Sequence, residues 1–279
     1  MNWSFLLGRP FGIEVRVHWL FVALLAFLLF FGGGLSSAVL VTCVFGFVVL
    51  HELGHSLVAR RYGVGVRSIT LLPIGGVAQL EGRPPTPTAE LWIALAGPLV
   101  NIALAIILFP LAILAGTPRA GEGSGGLAFG LNALGSLSFL LAALVSINVG
   151  LALFNLLPAF PMDGGRVLRA LLAKRVGMLE ATRRAARVGR WLAALMAIAG
   201  VLLGRPMLLF IAAFVYVAGS QEEAAVRMSH AQAPTLQFDP IHGWHYRMPH
   251  GPLDAHRGFD HRHVEEALRR LMRALRERR

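Results

Sequence analysis

His51, Glu52 and His55 are the side chains whose types and spacing most directly suggest chemistry. They stand in Leu50-His51-Glu52-Leu53-Gly54-His55, near the end of an apolar run, residues 36–61, that reads as one membrane-embedded helix. Residues four apart in a helix share a face, so both imidazoles can reach one metal ion, while Glu52 lies about 100° round and can hold a water beside it. That is the pattern of a zinc hydrolase, with His51 and His55 as ligands and Glu52 as base. Ionisable groups at membrane depth are expensive and face a partner, a cavity or an ion. The competing reading is a chance pentapeptide whose imidazoles pair with neighbouring helices.

A catalytic zinc usually takes three protein ligands and a water, so two histidines leave one position open. Asp163 is the candidate for it, in Asn155-Leu156-Leu157-Pro158-Ala159-Phe160-Pro161-Met162-Asp163-Gly164-Gly165-Arg166. The two prolines must end a helix, and the paired glycines let the backbone turn tightly around the carboxylate. The alternative is an Asp that caps the next helix or pairs with Arg166. A third stretch, residues 67–81, is too short and broken to span. Its β-branched residues around Pro73-Ile74-Gly75-Gly76 suggest a hairpin or re-entrant loop. An exposed strand edge at Gly75 and Gly76 could hold an extended peptide by main-chain hydrogen bonds. A hairpin that merely packs on the bundle is the other reading.

The elements that must position these residues follow from composition and punctuation. Hydrophobic residues make up 56% of the 279 and charged ones only 15%, as in a polytopic membrane protein. The expected fold is all-α, with about six transmembrane helices and a short membrane-associated β-hairpin or edge strand near the active site. The net charge of +11 is carried at helix ends and in the tail, which points to membrane topology and away from nucleic acid. Cys43 is the single cysteine and reads as a small core residue. No small-residue cleavage site follows the first apolar run, so the first helix is expected to anchor the chain.

In chain order, residues 12–18 suggest a short interfacial strand, followed by a helix over about 18–31 with His18 as a capping or interface residue. Residues 84–88 form a proline-rich linker, with Thr88 as N-cap of a helix running to about 116. Gly97, Pro98 and Asn101 on that helix read as structural, allowing close helix contact and a hydrogen bond across the bundle. A fourth helix spans about 127–157. Residues 167–190, dense in arginine, suggest a helix on the membrane surface, and 191–203 with 206–217 a helical hairpin. The arginine-rich ends are expected on the cytoplasmic side, which places both termini inside a multi-pass cell-membrane protein. A membrane-embedded core over 1–220 is then followed by a tail over 221–279. The tail reads as a flexible segment with six histidines between His242 and His263, then a basic amphipathic run over 264–279.

His-Glu-Leu-Gly-His in an early membrane helix, and Asn155-x-x-Pro158-x-x-Pro161-Met162-Asp163-Gly164-Gly165-Arg166 after a later one, together resemble the site-2 protease family of intramembrane zinc metalloproteases. The resemblance covers roughly residues 12–219. It implies His51, His55 and Asp163 as zinc ligands, Glu52 as catalytic base and Asn155 as a candidate for substrate or oxyanion contact. It also implies the lipid bilayer as surroundings and a membrane-anchored protein as substrate, transcriptional regulators being a family-level expectation. The sequence lacks the PDZ-like insert of many relatives, and its tail does not look like the paired nucleotide-binding modules of others. A metal-binding scaffold or transporter without hydrolysis would use the same ligands, and nothing in the sequence sets the oligomeric state.

Overall fold

Long apolar runs punctuated by glycine, proline and arginine leave few places where helices can start and stop. A computed structural model describes residues 3–31, 34–73, 75–116, 137–231, 235–239 and 243–247. The loop expected at 117–126, the first ten residues of the fourth helix and the basic run 264–279 lie outside them.

Strands β1 (Ser4–Gly8) and β2 (Glu14–His18) pair antiparallel, and α1 (Trp19–Phe31) follows at once. The Leu20 N–H donates to His18 Nδ1 at 3.2 Å, so His18 caps that helix. Helix α2 (Gly34–Arg61) closes with Arg60 and Arg61 in its last turn, and Gly63, at φ 76°, turns the chain out of it. Strand β3 (Gly65–Leu72) then lies parallel to β2 and antiparallel to β4 (Gly75–Glu81). A parallel pair requires a long crossover, which α1 and α2 supply. The sheet order is β1-β2-β3-β4, so β4 forms one edge. Strand β1 joins the expected strand and hairpin as an addition, since Ser4-Phe5-Leu6-Leu7-Gly8 lacks the alternation that would announce it.

Thr86, rather than the expected Thr88, caps α3 (Pro87–Leu114). The Ala89 N–H donates to its Oγ1 at 3.1 Å, and Pro87 occupies the first turn, where its missing N–H costs nothing. Helix α4 (Leu137–Asn155) follows, then α5 (Asp163–Val176), α6 (Met178–Leu202) and α7 (Pro206–Ala231). The expected surface helix is therefore cut at Gly177, whose φ of 77° ends α5. Its arginine-rich second half runs straight into the next apolar run as one helix of 25 residues. Ala181, Ala185, Ala186, Gly189 and Ala193 are buried along one stripe of α6, a small-residue face suited to close helix contact. Helix α7 runs on to Ala231, past the expected end near 217.

Among the described residues, α2, α3, α4, α6 and α7 are long and apolar enough to cross a membrane, and α1 is a shorter apolar helix. This is a membrane protein, predominantly helical, with a small sheet. The chain divides into two compact units, Met1–Val226 and Arg227–Arg279. In the second, β5 (Thr235–Asp239) pairs antiparallel with β6 (Gly243–Arg247), inside the stretch expected to be flexible. Thr-Leu-Gln-Phe-Asp and Gly-Trp-His-Tyr-Arg each alternate polar and apolar residues, which is the strand period.

Candidate metal centre

At about 100° per residue, α2 presents three stripes near its C-terminal end. Val49, Leu53 and Leu57 pack with Ile13, Ile69 and Ala78 on the sheet side. His51 and His55 lie on the opposite side of α2, against α3, where Asn101 and Ile93 are their partners. Glu52 falls between the two stripes. A β-carbon at Gly76 would stand 2.9 Å from Glu52 Cγ and 3.1 Å from Val48 Cγ1, so the start of β4 rests directly on the Val48–Glu52 stripe. The glutamate thus lies between the histidines and the sheet edge.

His51 Nε2 and His55 Nε2 are 3.0 Å apart, and Asp163 Oδ2 is 3.2 Å from the first and 3.1 Å from the second. All three residues are buried. His55 Nδ1 lies 2.6 Å from the Ile93 carbonyl oxygen, which can only accept, so Nδ1 carries the proton and Nε2 of the neutral ring offers a lone pair. His51 Nδ1 lies 3.0 Å from Asn101 Oδ1 and donates to it in the same way. Two lone pairs and a carboxylate oxygen then face one another, an arrangement that a cation resolves. Ligand atoms around a tetrahedral ion bound at about 2.0–2.1 Å are about 3.3 Å apart, close to the separations here. A β-carbon at Gly97 would come 2.6 Å from His51 Nε2 and closer still to His55 Nε2, so α3 keeps this space clear of any side chain. Donor chemistry, spacing and the cleared wall all fit a metal ion.

Asp163 reaches the site from the first turn of α5. Residues 156–162 form a tight connection in which the Met162 N–H donates to the Ala159 carbonyl at 3.0 Å. Side chains at Gly164 and Gly165 would collide with the backbone of Leu156, Leu157, Ala159 and Phe160, so the glycine pair lets the helix start against its own connection. Ala159 and Met162 pack with Ala193 and Val215, and Phe160 with Ala185 and Ala186. Farther along α5, Arg169 Nε donates to Glu90 Oε1 at 2.7 Å, its Nη1 bonds Glu222, and its guanidinium lies 5.1 Å over the Phe160 ring. These contacts tie the helix bearing Asp163 to α3 and α7.

The other expected site residues are placed less directly. Gly75, at φ 139°, opens β4 opposite Leu72, and Gly76 stands opposite Leu71 and over Glu52. Asn155 ends α4 with its Nδ2 donating to the Leu151 carbonyl at 3.0 Å, a bond inside its own helix. Gly97 and Asn101, read from sequence as structural, are in fact against the imidazoles. The available signal was spacing: Ile93, Gly97 and Asn101 repeat every four residues, as His51 and His55 do.

The sequence model of Peptidase family M50 matches residues 39–128 and 126–199. The chain is 39% identical over 231 residues to a zinc metalloprotease of Methanocaldococcus jannaschii, a match covering 82% of this chain and 63% of that protein. It is 37% identical over 276 residues to the putative zinc metalloprotease Rip3 of Mycobacterium tuberculosis, covering 85% of this chain and 65% of the other. The chain thus spans just under two thirds of the length of these curated relatives. A solved structure of a site-2 protease from Methanocaldococcus jannaschii is similar at a TM-score of 0.53 and 38% identity, covering 79% of this chain and 95% of that one. The first matched segment holds His51, Glu52 and His55 and the second holds Asp163, and the chain belongs to peptidase family M50, the site-2 protease family.

Proposed function

We propose that this protein is a zinc-dependent endopeptidase that hydrolyses peptide bonds in or near the membrane-spanning segment of membrane-anchored proteins. The observation that carries the reading is the convergence of two imidazole lone pairs and one carboxylate oxygen at the buried end of an apolar helix, with Glu52 on the adjoining stripe. His51, His55 and Asp163 would hold the ion. When bound, zinc supplies Lewis acidity toward a water and a peptide carbonyl.

Glu52 takes the proton of the attacking water and returns it to the leaving amine nitrogen. Its flank toward β4 lets it face a substrate held there. A helical substrate hides its carbonyls in its own hydrogen bonds, so it must unwind locally before cleavage, and the β4 edge offers main-chain partners to the extended segment. Gly75 and Gly76 bring no side chain to that edge, so another backbone can approach closely. Asn155 is a candidate for substrate or oxyanion contact, and its amide would have to leave the Leu151 carbonyl to donate there. The arginine-rich ends of α2 and α6 favour the cytoplasmic side, with both termini inside.

The test is Glu52→Gln in the purified protein. Zinc content stays at the unmutated level, while cleavage of a membrane-anchored protein that co-purifies with the variant falls by about 10²–10⁴-fold or more. Cleavage at the unmutated rate would remove Glu52 as the base.

A further inference from the structure

What stands behind the two imidazoles is as ordered as the imidazoles themselves. On α3, Ile93, Gly97 and Asn101 recur every four residues, matching the interval between His51 and His55 on α2. The helices run antiparallel, so the rows meet: Asn101 Oδ1 opposes His51 Nδ1 at 3.0 Å, and the Ile93 carbonyl opposes His55 Nδ1 at 2.6 Å. Gly97 leaves the middle empty. Gly54 makes the approach possible, because a β-carbon there would stand 2.8 Å from Val100 Cγ2 and 3.0 Å from the Ala96 carbonyl oxygen.

We propose that Asn101 is a positioning residue for the metal site, holding the His51 proton on Nδ1 so that Nε2 is left free for the ion. This rests on the zinc reading above. The other tautomer would put a proton on Nε2, 3.0 Å from His55 Nε2 and 3.2 Å from Asp163 Oδ2, in the space the ion takes. The bond to Oδ1 also fixes the ring plane, as partners of metal-bound histidines commonly do. Asn101 is fully buried, yet its Nδ2 has no hydrogen-bond partner among the described residues. Its amide is therefore turned to give its acceptor to a ligand while its own donor goes unmet, which general packing between α2 and α3 would not favour. Asn148 offers the contrast: it is equally buried, but its Nδ2 donates to the Leu144 carbonyl of its own helix and it is its Oδ1 that has no partner among the described residues. His55 has a backbone partner, so Asn101 is the side chain through which this row can be tested.

The experiment measures the zinc dissociation constant of the full chain in detergent, by competition with a fluorescent chelator, alongside thermal unfolding. Asn101→Leu keeps the size and removes the acceptor, and it should weaken zinc binding by about 10–100-fold. Asn101→Asp keeps an acceptor and no donor, and should bind close to the unmutated affinity. Asn148→Leu should leave zinc binding unchanged. Unaltered affinity in Asn101→Leu overturns the inference, as does an equal loss in Asn101→Asp or in Asn148→Leu. An unmutated protein that binds no zinc overturns the zinc reading itself and this inference with it, whereas the other outcomes leave that reading standing.

Discussion

Asp163 and Arg169 lie on the same short helix, and each anchors a buried polar cluster of a different kind. Around Arg169 donors meet acceptors and a positive charge meets negative ones, Nε and Nη2 at Glu90 and Nη1 at Glu222, with the guanidinium face over the Phe160 ring and only Glu90 Oε2 without a partner among the described residues. Around Asp163 the converging atoms are all acceptors once both imidazoles carry their protons on Nδ1. Burial of the central groups does not tell the clusters apart, since His51, His55 and Asp163 are 6–7% exposed and Arg169 and Glu90 are 8% and 2%, with Glu222 at the half-exposed rim. Complementarity does. A cluster of opposite charges ties helices together, and one made of like atoms is incomplete until something positive enters it.

The comparison breaks most readily at Gly97. A methyl group there would press on both Nε2 atoms, so Gly97→Ala should abolish zinc binding, read as metal per chain after purification. Gly46→Ala is the control, because a β-carbon at Gly46 meets nothing within 4 Å among the described residues, and its zinc content should match the unmutated protein. Full zinc occupancy in Gly97→Ala would mean that the three ligand atoms do not close on an ion where the geometry places it.

The two clusters also differ in how far they can be read from sequence. His51, Glu52 and His55 are local, set by the period of one helix, and Asp163 stands out as the acidic residue in a glycine-proline context that follows an apolar helix, where a third zinc ligand is wanted. The Arg169 cluster joins residues 79 and 53 positions apart, and nothing periodic links them. Asn101 and Gly97 are legible as helix-contact residues, and Asn101 does bond across the bundle, but their place beside the imidazoles depends on how α3 crosses α2, which helical period alone does not fix. In the fold, the apolar runs announce the helices and the Pro73-Ile74-Gly75-Gly76 stretch announces the hairpin. The break at Gly177 is hidden because arginines on both sides of it continue one amphipathic pattern. Strand β1 is hidden because Phe5, Leu6 and Leu7 do not alternate with polar residues.

Breaking the charge-paired cluster around Arg169 should register in stability before it registers in metal. Arg169→Met leaves the Glu90 carboxylate buried without its cation, and loss of one partner of such a pair costs about 3–5 kcal/mol. Thermal unfolding in detergent should show that loss, and the double variant Glu90→Gln, Arg169→Met should recover much of it, since the carboxylate then left without its cation, Glu222, is 39% exposed and solvated by water. Zinc affinity should change far less than in Gly97→Ala. A variant that unfolds normally but has lost its zinc would show that Arg169 serves the metal site after all.

The smallest effects are expected on α6, where two further arginine pairs, Arg190–Glu223 and Arg184–Glu180, differ in their contact with water, and Glu180 has Arg183 as a second neighbour at 3.8 Å. Arg190 and Glu223, 2.9 Å apart with side chains 32% and 16% exposed, join α6 to α7. Arg184 and Glu180, 3.1 Å apart and 49% and 40% exposed, lie one turn apart on α6. Water already solvates the second pair, so forming it gains little over leaving the groups in solvent. Arg190→Gln should therefore cost no more than about 1 kcal/mol and Arg184→Gln about 0.3–0.5 kcal/mol, both without change in zinc content. Thermal unfolding of the three arginine variants side by side gives the order Arg169, Arg190, Arg184. If Arg184→Gln proved as costly as Arg169→Met, desolvation of an unpaired charge would not be what makes the Arg169 cluster matter, and the contrast with Asp163 would need another cause.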